Sequence, residues 1–222
     1  MRSGVVAFLA VLALGLLALL ATGLTRASAL VYTLGVAPQG PVGMLEPGSR
    51  ACQGAINLPG DARFERIGLY PRTPGGPGSP LEVSIRPADG GAALARGELP
   101  GGYRGDEPPR LRYADLGRQR RPEPFTVCVT NRGSRDVELW GTAALASPST
   151  SSVLDGKPGD FDLGVTFADR EERSLLARLP EAAEHASVFH PGWTSPWAYA
   201  VLAALVLLGG PALLLVALRR GL

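Results

Sequence analysis

The stretch Leu81-Glu82-Val83-Ser84-Ile85-Arg86 decides the fold class, because apolar and polar residues alternate along it without a break. Successive side chains of a β-strand point to opposite faces of a sheet, so this period of two predicts a strand with one buried and one wet face. The stretch Asp160–Phe167 repeats the alternation. Both are therefore predicted to be half-buried strands, with Asp160 and Asp162 on the solvent side.

Less regular strands are predicted on both sides of this stretch, at 30–36, 51–58, 64–70, 91–97, 110–116, 125–130 and 137–145. Clusters rich in Gly and Pro separate them, as at 74–78 and 100–102. Short strands between such turns, with almost no helical periodicity, are typical of all-β domains. Residues 30–172 are therefore predicted to form an antiparallel β-sandwich or jelly roll.

Two apolar runs, Gly4–Leu24 and Pro196–Leu218, flank this domain and carry no charged residue. Each is long enough to cross the hydrocarbon core of a bilayer, so a transmembrane helix is predicted at each end. Arginines concentrate on the cytoplasmic side of such helices, and Arg2 and Arg219 flank the two runs. Both termini are therefore expected in the cytoplasm, with the β domain outside the membrane.

The first run, within residues 1–29, has two interpretations. Ala27-Ser28-Ala29 has the small-x-small form of a signal-peptidase site, so cleavage after Ala29 is one possibility. An uncleaved anchor is the other, and it is favoured because the run is longer than the apolar region usual in a signal peptide.

The second run, within residues 193–222, has aromatic residues at its start and arginines at its end. Such residues are typical of membrane–water interfaces, so they are predicted to lie there: Trp193, Trp197, Tyr199, Arg219 and Arg220. Gly209-Gly210-Pro211 predicts a kink. Neither run contains Asp, Glu, Lys, Arg or His, which argues against a transporter or a proton path.

Residues 173–192 show near-helical spacing of apolar residues, with Pro180 suited to a first helical turn. This segment is predicted to be a juxtamembrane amphipathic helix. It is expected to lie either on the membrane surface or against the β domain.

The net charge of +2 comes from 22 basic and 20 acidic residues, so the composition gives no electrostatic reason to expect nucleic-acid binding. Only Lys157 among the basic residues is a lysine. This bias is typical of a GC-rich genome and favours a bacterial plasma membrane as the location.

The chain has two cysteines, Cys52 and Cys128, and both lie in predicted strands. An even pair in an exported domain predicts a disulfide. No neighbouring His or carboxylate completes a metal or catalytic thiol motif.

The candidate binding residues are aromatic. Trp140 shares strand parity with Glu138, so an outward position is one interpretation, and there its ring would stack on a sugar; Tyr70 and Tyr103 are candidates for the same role. For each of the three, a rim position or burial under a loop is the favoured alternative. The carboxylates of 155–162 resemble a calcium site only loosely. The arginines of 110–121 could meet anionic glycan or lipid, but a solvated loop between strands is the commoner explanation for such a run and is favoured.

No motif assembles a nucleophile with a base, so no catalytic residue is predicted, and neither is a metal site or a cofactor. A hydrolase that uses paired aspartates stays open, because distances between carboxylates cannot be read from a sequence.

Residues 51–145 resemble galactose-binding-like and carbohydrate-binding-module jelly rolls. The resemblance is carried by the phrases at 64–70, 80–86, 89–97 and 125–131. The whole chain also resembles actinobacterial membrane proteins that accompany envelope polysaccharide enzymes, through the Ser-Leu-Leu…Leu-Pro segment at 174–180. These resemblances imply a glycan or envelope context and transfer no binding residues.

The function expected from the sequence is that of a non-enzymatic accessory protein that binds envelope glycan or a membrane partner. The partner would be a membrane-embedded glycosyltransferase or an exporter, in polysaccharide assembly or export. The alternative is an external sensor or structural anchor that works through a membrane partner.

Overall fold

The computed structural model describes residues 2–58, 62–103, 109–120, 123–143, 152–188 and 196–220. The chain divides into two compact units. The helical unit comprises Met1–Ser28 and Glu172–Leu222, and the β unit comprises Ala29–Glu171.

The strands of the described residues form two sheets, and every described register is antiparallel. They are β1 (Ala27–Thr33), β2 (Gly40–Leu45), β3 (Arg50–Ile56), β4 (Arg63–Leu69), β5 (Pro71–Arg72), β6 (Leu81–Pro87), β7 (Ala95–Leu99), β8 (Arg112–Arg120), β9 (Phe125–Asn131), β10 (Val137–Thr142), β11 (Ser152–Leu154), β12 (Lys157–Pro158), β13 (Asp162–Leu163) and β14 (Thr166–Ser174). The larger sheet has the order β1-β14-β4-β8-β7-β6-β9-β3-β11-β12. The smaller sheet has the order β13-β10-β2, and β5 also pairs with β10.

One hydrophobic core receives side chains from both sheets. Leu81, Val83 and Ile85 of β6 are completely buried, as the alternation predicted. Leu139 and Leu163 of the smaller sheet belong to the same cluster. The prediction of a mainly β, antiparallel fold is confirmed, and two sheets around a common core are consistent with a β-sandwich.

Three phenylalanines lie at the centre of this core. Phe167 of β14 meets Phe64 of β4 edge to face, with ring centroids 4.9 Å apart, and Phe125 of β9 at 5.8 Å. Because β4 and β14 are paired neighbours while β9 lies several strands away in the sheet order, the cluster links β9 to that pair through the core. Edge-to-face contact is a favoured geometry of aromatic pairs.

The prediction of one strand over Asp160–Phe167 is wrong. β13 belongs to the smaller sheet and β14 to the larger, so the chain crosses between the sheets within this stretch. Residues 161–168 are consequently buried on both faces, and Asp162 lies in the interior instead of on the solvent side. Asp160 is exposed, as expected.

The helical unit contains α1 (Arg2–Thr25), α2 (Leu175–Val188), α3 (Pro196–Ala204), a π-helical turn (Leu205–Gly209) and α4 (Gly210–Arg220). The π-helical turn interrupts the last helix directly before Gly210-Pro211. Proline lacks the N–H that the next α-helical hydrogen bond requires, so an irregularity is expected here.

Within the described residues, α1 contains one stretch long and apolar enough to cross a membrane, Val6–Thr25. An anchor and a signal sequence both fit such a stretch near the amino terminus. The apolar helix at the other end, Val201–Ala217, is shorter. The sequence pattern had made the second run the clearer membrane span, whereas the structure gives the longer apolar helix to the first.

Pro180 does not begin α2, contrary to the prediction. The helix begins five residues earlier at Leu175, and Pro180 lies inside it. Ser174 caps this start, because its hydroxyl oxygen accepts a hydrogen bond of 3.3 Å from the N–H of Ala177. The proline pattern was outweighed by this cap and by a hydrogen bond from the N–H of Leu175 to the carbonyl of Arg26.

Candidate functional site: the outer face of the smaller sheet

Strand β10 has one face on the core and one face away from it. Val137 and Leu139 are buried, whereas Glu138 and Trp140 are only partly buried. Alternation along a strand therefore directs Trp140 to the same side as Glu138, away from the core. The sequence pattern had predicted this shared parity.

The neighbours of Trp140 on this face follow from the register. Glu138 lies opposite Arg72 of β5, and the N–H of Trp140 donates to the carbonyl of Tyr70 at 3.1 Å. Tyr70 is thus the next residue opposite Trp140, on the same side of the sheet. On the other edge of β10, Met44 lies opposite Glu138 and Pro41 opposite Trp140.

These six residues form two adjoining rows, which we call the Trp140 face: Pro41–Trp140–Tyr70 and Met44–Glu138–Arg72. Pro41 and Met44 are exposed, and the other four are partly buried. The face therefore combines two aromatic rings, one guanidinium and one carboxylate at a surface that a ligand can reach.

Arg72 and Glu138 compensate each other electrically. The Arg72 Nε lies 3.7 Å from the Glu138 Oε2, and the two side chains are 23% and 15% exposed. The Arg72 guanidinium carbon also lies 6.0 Å from the centre of the Trp140 ring, at the outer limit of a cation–π contact. The pair therefore supplies hydrogen-bond donors and acceptors beside the ring without adding net charge.

The indole N–H of Trp140 is buried and has no hydrogen-bond partner in the described part of the chain. Buried donors are nearly always paired in folded proteins, with protein groups or with water. An ordered water molecule is a common partner of such a buried donor.

Tyr103 is not part of the Trp140 face. Its ring is buried, and its hydroxyl donates a 2.8 Å hydrogen bond to the carbonyl of Ser79. Burial raises the pKa of Tyr103 to about 12. This tyrosine is therefore a core residue and not an exposed ring.

Tyr103 does border a shallow cleft of about 600 Å³ between the end of β7 and the start of β8. Leu111, Arg112 and Tyr113 form the opposite wall. The guanidinium of Arg66 lies over the Tyr113 ring at 4.7 Å. This cation–π contact packs Arg66 of β4 against Tyr113 of β8 beside the cleft.

The carboxylates of 155–162 are used separately. Asp162 accepts a 2.9 Å hydrogen bond from the Gln53 side-chain amide in the interior. Asp155 accepts one of 2.7 Å from the backbone N–H of Arg50, and this bond is the main cause of its lowered pKa. Among the described residues, no three His, Cys, Asp or Glu side chains are grouped in a way that could hold a metal ion.

The arginine run at 110–121 lies largely on strand β8, which continues to Arg120, and not in a loop. Arg118 pairs with Glu65 at 3.6 Å. Asp115 pairs with Arg170 at 2.6 Å, and this hydrogen bond is the main cause of the lowered pKa of Asp115. The charges of this strand are thus partly compensated by its neighbours.

The predicted disulfide between Cys52 and Cys128 is confirmed. The two cysteines are direct partners in the register of β3 and β9. The bridge joins positions 76 residues apart, which corresponds to on the order of 4 kcal/mol in the chain-entropy model. It stabilises the centre of the larger sheet.

Of the predicted membrane-interface residues, Trp197 is 68% exposed. Trp193 lies outside the described residues, and so do the side chains of Tyr199, Arg219 and Arg220.

Sequence reasoning missed Arg72, Met44 and Pro41 as members of the face. The two-residue strand β5 and the strand β2 were not predicted, because neither shows a recognisable alternation. The alternation Glu138-x-Trp140 was the available signal, and it identified one strand of the three.

Comparisons of the chain with protein-family models, with curated proteins and with solved structures find no match.

Proposed function

We propose that the protein is a non-enzymatic accessory protein, anchored in a bacterial plasma membrane, whose β unit binds envelope glycan outside the cell through the Trp140 face. The carrying observation is the register that brings Tyr70 and Trp140 together beside the Arg72–Glu138 pair. An aromatic ring offers an apolar platform for the C–H face of a sugar. The guanidinium and the carboxylate offer a donor and an acceptor for its hydroxyl groups.

The location outside the membrane is supported by two features. The Cys52–Cys128 disulfide fits an oxidising compartment. The apolar stretch Val6–Thr25 fits an anchor that holds the β unit at the membrane. In this proposal both termini lie in the cytoplasm, and the glycan is presented to a membrane-embedded glycosyltransferase or exporter.

The proposal is tested by probing an array of cell-envelope polysaccharides with the full chain in lipid nanodiscs. We expect binding by the unaltered chain and its loss in Trp140→Ala, because the substitution removes the platform. Leu94→Ala is the matched control, since Leu94 is exposed elsewhere on the β unit. Binding that both variants retain would exclude the Trp140 face, and an absence of binding to any polysaccharide would exclude the proposed function.

A further inference from the structure

Helix α2 (Leu175–Val188) is attached to the end of α1 by backbone and side-chain contacts. The N–H of Leu175 donates a 3.0 Å hydrogen bond to the carbonyl of Arg26. The Arg178 Nε donates one of 3.0 Å to the carbonyl of Ser28. The position of α2 is thus fixed against the point where the chain leaves α1.

Two polar residues of α2 whose side chains are described, Arg178 and Glu181, lie one helical turn apart and have partners. Arg178 contacts Glu181 at 3.7 Å as well as Ser28. The other carboxylate oxygen of Glu181 accepts a 3.2 Å hydrogen bond from Arg173. This side of α2 therefore faces the polar chain segments that flank the helix.

The described leucines of α2 and Ala182 occupy an arc of the helix next to Arg178 and away from Glu181, and only part of that arc is covered. Leu176 packs closely against Gly23 of α1. A Cβ atom added to Gly23 would lie only 2.9 Å from the Leu176 Cγ. Leu175, Leu179 and Ala182 lie within about 60° of one another around the helix. All three are exposed, and Leu179 is 58% exposed. We call these three residues the α2 stripe.

We infer that the α2 stripe is embedded in the headgroup and upper acyl region of the bilayer that holds α1. The inference rests on the proposed membrane anchoring. The stripe lies beside Leu176, the residue of α2 that contacts Gly23 of α1. No residue of the α1 stretch Val6–Thr25 is buried by protein. The medium around the end of α1 therefore also reaches the stripe.

Lipid fits the stripe better than a protein surface does. A helix with an apolar side and a paired polar side lies in the plane of the interface, with the apolar side towards the acyl chains. Here the polar side carries Arg178 and Glu181, while the stripe contains no polar group. The α2 stripe would thus hold the exit of α1 and the start of α2 at a fixed depth in the membrane.

The test uses single-cysteine labelling, which is straightforward because Cys52 and Cys128 are joined. An environment-sensitive fluorophore is attached to Leu179→Cys or to Ala177→Cys in the full chain. Ala177 is the matched control, because it is also exposed but lies about 160° from Leu179 around the helix. The chain is placed in phosphatidylcholine–phosphatidylglycerol nanodiscs, with and without nitroxide-labelled lipid.

We expect a blue-shifted emission at position 179 and about threefold greater quenching by nitroxide lipid there than at position 177. Equal quenching at the two positions would overturn the inference. A blue shift at 179 without lipid quenching would overturn it as well, since it indicates a protein partner or a second copy.

A third label at Leu14→Cys, in the middle of α1, separates this inference from the anchoring on which it rests. Quenching at position 14 without quenching at 179 contradicts only the placement of α2. An absence of quenching at both positions contradicts the membrane anchoring itself.

Discussion

In the β unit, Phe64, Phe125 and Phe167 are buried against one another, whereas in the helical unit Leu14 and Leu17 of α1 are 66% and 60% exposed. Both units are rich in apolar residues, but the two units bury them to different extents. The β unit buries its large apolar side chains against one another, whereas the helical unit leaves many of its own exposed. The packing of the β unit therefore accounts for its own stability, whereas the helical unit leaves apolar surface exposed.

The largest expected effect is on the phenylalanine cluster. Phe167→Ala should lower the free energy of unfolding of the β unit by about 3–5 kcal/mol, because it removes a buried ring and leaves a cavity. Chemical denaturation of the detergent-solubilised chain, followed by near-UV circular dichroism, measures this loss. Leu17→Ala in α1 is the control and should leave the β-unit transition unchanged. A comparable loss in both variants would contradict the division of roles between the units.

A smaller effect is expected at Gln53, the polar centre of the β unit. Its side-chain oxygen accepts a 2.8 Å hydrogen bond from the N–H of Leu163, and its amide donates to Asp162. Gln53→Leu should cost about 1–3 kcal/mol of unfolding free energy, since it leaves buried partners unsatisfied. Gln39→Leu, at an exposed position, should cost much less in the same denaturation experiment. An equal cost at the two positions would show that the buried network contributes nothing specific.

The smallest effect concerns pH. Because burial raises the pKa of Tyr103 from 10.0 to about 12, the unfolded chain loses this proton at lower pH than the folded chain. The contribution of Tyr103 to stability is therefore complete below pH 10.0 and declines as the pH rises towards 12. Unfolding free energies measured across this window should fall less steeply in Tyr103→Phe than in the unaltered chain. Parallel declines in the two proteins would mean that the tyrosine does not ionise differently on folding.

The β architecture was largely predictable from the sequence, because a period of two survives wherever one sheet face is buried. Leu81–Arg86 shows this, since its alternating residues are buried and half-buried, apart from Ser84, which is also buried. The pattern failed at Asp160–Phe167, where the chain changes sheets and both faces are covered. Periodicity reports the burial of faces and carries no information about which sheet a strand joins.

The candidate site was predictable only in part. Trp140 and Tyr70 were singled out as separate rings, and their adjacency depends on the pairing of β5 with β10. A two-residue strand leaves no periodic signal, so the Arg72–Glu138 pair could not be anticipated. Tyr103 was a third candidate ring, for which a rim position or burial under a loop was the favoured alternative, and it is buried.

The most direct test of the account is a fluorescence titration of Trp140 itself. Trp140, Trp193 and Trp197 are the three tryptophans of the chain, so the Trp193→Phe/Trp197→Phe variant reports on Trp140 alone. The account predicts a saturable change in Trp140 emission when envelope polysaccharide is added to this variant in nanodiscs. We also expect Glu138→Ala to weaken the binding by about 1–3 kcal/mol, which is roughly 5- to 150-fold in Kd, because a polar partner of the sugar is lost. Saturable polysaccharide binding by the chain without any change in Trp140 emission would contradict the claim that the Trp140 face is the glycan site.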